Sequence, residues 1–285
     1  MRLILVTIFL IVFHHSASAA EPLTADSLAL RLLDGEGLYT ATGGIKPISD
    51  GFWHCRFPAA EATSPEVDHA RQLLAGLPLG NDFAAGVYVF STPFQGKRSA
   101  SAYIAHMPSL KALVERRKDA FDPIGVTIAT PAQTVMEKID RAPRSARWRA
   151  FGLVFGYPDY AVEFFVASGE HQDESGQFVE RDFLHLPTFT SSDGRFVYAV
   201  PKGHAERDED RKLKAVTAPI FARYKTWREV YVGEGKAGGV SLLRDWLAPP
   251  VVIAEPTIVY VPPNVPCLCP TAATVRMHRF TIRHR

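Results

Sequence analysis

The sequence predicts an α+β fold in a single globular domain, with several packed helices around a mixed sheet. Three observations carry that reading. Apolar residues recur at helical spacing behind polar cap residues, and short β-branched or aromatic runs lie between those segments. Two such runs, 182–189 and 195–200, flank the loop "TSSDG" (190–194), whose Asp-Gly ending signals a hairpin across 182–200. The interleaving of strands with helices leaves α/β as the alternative, but a doubly wound sheet has no use for a hairpin.

Taken in order, the chain opens with Met1 and Arg2, an unbroken apolar run from Leu3 to Phe13, and Ala17-Ser18-Ala19. This is the layout of a secretory signal peptide over 1–20, with a globular domain over 21–255 and a tail over 256–285. The apolar run is too short for a ~30 Å hydrocarbon core, which takes about twenty residues. No Cys follows the cleavage signature, so lipid attachment has no nucleophile there. The expectation is a soluble, secreted or periplasmic chain.

"TADSLALRLLDGEG" (24–37) reads as a capped helix with Leu28 and Leu32 one turn apart. "ATGGIKPISDG" (41–51) is a Gly-rich turn in which backbone amides and Lys46 are suited to an anion, ahead of a strand "GFWHCRF" (51–57). "SPEVDHARQLLAG" (64–76) places Ser64 at a cap and Pro65 at the first helical position, where a missing amide proton costs nothing. Strands are expected at "GVYVFST" (86–92), "GVTIAT" (125–130), "RFVYAV" (195–200) and "PVVIA" (250–254), and a Thr130–Gln133 capping box at the head of "TPAQTVMEKID" (130–140).

"FGYPDYAVEFFV" (155–166) reads as a tight turn between two helices. The second is apolar all round, and therefore expected to run through the core with Glu163 needing a partner. The longest helix should start near "ERDEDRKLK" (206–214), where acidic residues suit the helix dipole. It carries Leu213, Val216, Ile220, Tyr224, Trp227 and Tyr231 as one stripe, with a kink or break near Ala218 because of Pro219. From Pro256 onward there are five Pro in fifteen residues, and the last thirty hold four Arg and no Asp, Glu or Lys. That composition predicts an extended tail from Pro262, after a possible edge strand at "TIVYV" (257–261).

Charge excludes one function class. Without Arg2 and the four tail arginines, 27 basic residues face 30 acidic ones, so no whole-protein field points to nucleic acid. The tail's Arg276, Arg279, Arg283 and Arg285 offer a weak anion or envelope contact. No cofactor fingerprint or local metal motif occurs, and no metal or cofactor is expected. The three Cys, in an oxidising compartment, suggest one disulfide plus a free thiol or one intermolecular bond, and within the chain Cys55 pairs more easily with Cys267 or Cys269 than those two pair with each other.

Two functions follow. The first is a non-catalytic binding or accessory protein of the cell envelope, because no sharp motif survives. The second is a hydrolase or transferase with a dispersed site: Cys55 as nucleophile, His185 and His204 as bases near one end of the sheet, Asp159 and Glu163 at the 155–166 turn. The alternation of "WHC" puts Trp53 and Cys55 on the inner face of a strand and His54 on the other.

Overall fold

A computed structural model describes residues 22–248, with the side chains of 191–195 left aside. Chain order is α1 (Ala25–Asp34), α2 (Gly37–Ala41), β1 (Ile48–Pro58), α3 (Pro65–Ala75), β2 (Phe83–Val89) and β3 (Lys97–His106). There follow α4 (Met107–Arg116), α5 (Lys118–Phe121), α6 (Ala132–Arg141), α7 (Arg144–Val154) and α8 (Asp159–Ser175). The hairpin β4 (Arg181–Thr188) and β5 (Ser191–Pro201) comes next, then α9 (Asp208–Tyr231) and α10 (Gly238–Leu247). The class is α+β, and among the described residues the strands fall into two antiparallel sheets, β1-β3-β2 and β4-β5, where one mixed sheet was expected.

Caps fix the first helices. The Thr24 hydroxyl accepts from the Ser27 amide at the head of α1, and Ser64 does the same for Val67 at the head of α3. On α1, Leu28, Leu32 and Leu33 have no exposed surface and join Trp53, Phe57, Val87 and Leu242 in one core on one side of the larger sheet. The opposite side packs Ile48, Tyr88 and Tyr103 against Leu113, Val135, Ile139, Leu153 and Val162 from the middle helices. The sheet is thus covered on both faces.

Its central strand, β3, escapes the sequence reading. "KRSASAYIAH" pairs on both sides, and Ala100 through Ala105 are buried, so small residues fill it where β-branched ones were sought. Residues 125–130, expected as a strand, are turns instead, and Thr130 accepts from the Thr127 amide rather than capping α6. Gln133 reaches Glu137 and the Val87 carbonyl.

The long helix α9 continues through Pro219 without a break. Its stripe holds except at Val216, which is half exposed; Ile220, Tyr224, Trp227 and Tyr231 join the first core. Asp34, at the end of α1, accepts from Tyr224 Oη at 2.6 Å and from Arg228 Nε at 2.7 Å and Nη2 at 3.1 Å. Among the described residues no helix is long and apolar enough to cross a membrane. The signal peptide, the 250–254 and 257–261 strands, Cys267, Cys269 and the arginine tail lie outside the described residues.

Candidate functional site

Of the five residues of the dispersed site only Asp159 and Glu163 are neighbours, one turn apart on α8 and both near Arg117. Cys55 lies on β1 with Trp53 and Phe57 facing inward and His54 outward, as alternation requires. Burial pushes its thiol up, the Ser64 hydroxyl partly opposing and Glu66 adding to the rise, the reverse of what a thiolate nucleophile needs. His185 is exposed in mid-hairpin opposite Val197, whereas His204 stands beyond the Arg181–Pro201 end of the ladder. Four strand positions separate the two places, about 13 Å of rise. They are not brought together.

His204 belongs to a closed cluster. Its ring stacks on Tyr160 at 5.3 Å, and Nε2 lies 2.9 Å from Asp210 Oδ2. Asp210, without exposed surface, also accepts from Tyr160, from Tyr198 at 2.7 Å and from the Arg207 amide at 2.8 Å. Burial pushes that carboxyl up, but the hydrogen bonds from Tyr160, His204 and Tyr198 outweigh it and hold it at about 2. Every lone pair is used, so the cluster anchors α9 to the hairpin and leaves no acceptor for a substrate proton.

Asp159 and Glu163 are surface carboxylates. Asp159 pairs with Arg117 at 2.9 Å and Glu163 with Arg149 at 2.9 Å, and Glu163 is half exposed. The helix α8 therefore corrects the expectation of an all-round core element: Ala161, Val162 and Val166 face inward, while Phe165 is 38% exposed. The turn itself is as expected. Gly156 has φ 73°, and a Cβ there would lie 2.7 Å from the Ile45 carbonyl oxygen, so only glycine fits. Lys46, in a turn that on sequence could also have held an anion, is fully buried: it pairs with Glu36 and lies 4.0 Å from the centre of the Phe196 ring.

What this stretch builds is a groove. Trp148, Phe151 and Phe155 of the α7 segment, Tyr157, Ala161, Val162 and Phe165 of the α8 segment, and Phe183, Val197 and Ala199 of the hairpin enclose about 290 Å³. Tyr198 and Gly152 complete the lining, which is mostly apolar. Phe165 meets Trp148 edge to face at 5.5 Å, and Phe183 is 54% exposed at the rim. Gly169 lets the two helices close: a Cβ there would stand 2.2 Å from the Trp148 ring. The sequence shows Trp148, Phe151 and Phe155 on one side of a helix and the aromatic density of 155–166, but not their meeting with Phe183, because the groove joins elements far apart in sequence.

A second cavity of about 290 Å³ touches the same turn through Gly156, Tyr157 and Asp159, and includes Gly44, Ser109 and Arg116. Ser109 Oγ accepts from the Gly44 amide at 3.1 Å and lies 2.7 Å from His106 Nδ1. Burial lowers the His106 imidazole, with Asp82 opposing. The described residues contain no group of three or more His, Cys, Asp or Glu placed to hold a metal ion. Comparison with family models, with curated proteins and with solved structures finds no match to this chain.

Proposed function

We propose that the chain is an exported, non-catalytic binding protein of the cell envelope, and that the groove between α7, α8 and the hairpin seats an apolar ligand. One observation carries the reading: about 290 Å³ of apolar space is rimmed by phenylalanines that remain 38% and 54% exposed. Ligand pockets are concave and mostly apolar, with volumes from about 300 Å³ upward, and this groove stands at the small end. Exposed aromatics beside a preformed apolar hollow gain most by covering it. The Ala-x-Ala signature at 17–19 supports export. The test is titration with an environment-sensitive apolar fluorophore. Saturable binding at one site is expected, lost in a Phe165→Ser/Phe183→Ser variant that still unfolds cooperatively. Absence of saturable binding to the unaltered protein removes the reading.

The enzymatic alternative moves from the five dispersed residues to Ser109 and His106, because a hydroxyl 2.7 Å from an imidazole beside a cavity is the arrangement of a nucleophile with its base. Oγ would attack an acyl carbonyl as its proton passes to His106 Nδ1, and the leaving alcohol would take that proton. Water would then release the acid. A fluorophosphonate adduct on Ser109, absent from Ser109→Ala, is the expected sign; an unlabelled Ser109 ends this alternative.

A further inference from the structure

The groove has one charged neighbour whose chemistry is unspent. The Arg181 guanidinium lies 4.6 Å from the Phe178 ring centre and 5.6 Å from that of Phe165, which is itself part of the groove lining. Its Nε donates to the Val179 carbonyl at 3.3 Å. Among the described residues no carboxylate stands within ion-pair distance of it. The surrounding charges are committed: Arg144 to Asp173 at 2.7 Å, Arg149 to Glu163 at 2.9 Å, and Lys202 to Asp182 at 2.9 Å. Arg181 is half-buried, and loss of water lowers its guanidinium from the ordinary value.

A guanidinium desolvated without an anion is unfavourable, and aromatic faces offset that only in part. The ring contacts also orient it. A planar cation stacked against aromatic rings keeps its in-plane N–H donors for a carboxylate, the partner its fork fits. Charge complementarity therefore selects among apolar ligands. We infer that the groove takes a small monocarboxylate amphiphile, with its apolar body against Trp148, Phe155 and Phe183 and its carboxylate on Arg181. This inference rests on the binding reading above and adds the class of ligand. A guanidinium in this place also has a purely local use, covering Phe165 and Phe178, and the two roles separate experimentally.

The experiment is displacement of the bound fluorophore by decanoate, decanol and decyltrimethylammonium, which share a chain and differ in head group. Decanoate should bind about ten- to a hundredfold more tightly than decanol, the ratio a charge-assisted hydrogen bond supports. The cation should bind more weakly than either. In Arg181→Gln, decanoate should fall to the level of decanol while decanol keeps its affinity. Equal binding of decanoate and decanol to the unaltered protein overturns the inference and leaves the apolar groove standing. So does an Arg181→Gln variant that weakens both ligands alike, since that is the signature of a packing role. Failure of all three to displace the fluorophore overturns both readings.

Discussion

At the scale of single residues the polar interior dominates. Asp50 keeps some exposed surface, but its carboxyl is held by Tyr88 Oη at 2.5 Å in the neighbourhood of Glu36 and Lys46. Burial pushes it up from 3.8 to about 6, with Glu36 adding to the rise and Tyr88 and Lys46 opposing. A carboxyl raised in the folded state prefers its proton there, so its contribution is complete below about pH 4 and is lost as pH rises to about 6. The loss amounts to roughly 3 kcal/mol at most. Asp50→Asn should remove that slope: denaturant unfolding across a pH series should show the variant gaining on the unaltered protein between those limits and running parallel above them. Parallel curves throughout would mean that Asp50 titrates normally. Glu163 carries the opposite lesson. On the page of the sequence it was a carboxylate among phenylalanines; in space it is a half-exposed partner of Arg149, worth no more than about 1 kcal/mol.

At the scale of elements, the α7–α8 pair decides whether the groove exists. Gly152 faces Val162, where a Cβ would lie 2.7 Å away, and Gly169 faces the Trp148 ring. Gly169→Ala should cost about 1–3 kcal/mol through overpacking, although alanine is the better helix former. Thermal unfolding measures that cost, and a shift in Trp148 emission should accompany it as the ring moves toward the groove. Unchanged stability and emission would show that the helices have room to spare. This turn was legible in advance, since "GYP" breaks one helix and opens the next. So were α1, α3, α9 and the pairing of the two hairpin strands, but not the turn between them: the chain reverses at Phe189–Thr190, and the expected Asp193-Gly194 loop is part of β5. The strand β3 was not legible because it is buried on both faces from Ala100 to Ala105 and Ser99 to Ala102 are all Ala or Ser, which erases alternation. The groove and the Ser109–His106 contact were not legible either: proximity of Phe183 to Trp148, or of Gly44 to Ser109, is a property of topology rather than of any short segment.

At the scale of the molecule, the described chain is closed by its own ends. The carboxylate of Asp34 binds Arg228 across 194 positions, and α1 packs against α10. Asp34→Ala should cost about 3 kcal/mol, near the lower end for a broken buried pair because Arg228 is 24% exposed. Chemical denaturation of the two proteins measures it, and a loss well under 1 kcal/mol would show the pair to be incidental. The same closure sets a clock on biosynthesis. At roughly 5–20 residues per second, about 10–40 s pass between the making of Asp34 and the making of Arg228. Through that interval Leu28, Leu32 and Leu33 lack the α10 surface that hides them. A nascent chain of this design emerges with its first helix sticky, and that helix completes its packing only after α10 has been made.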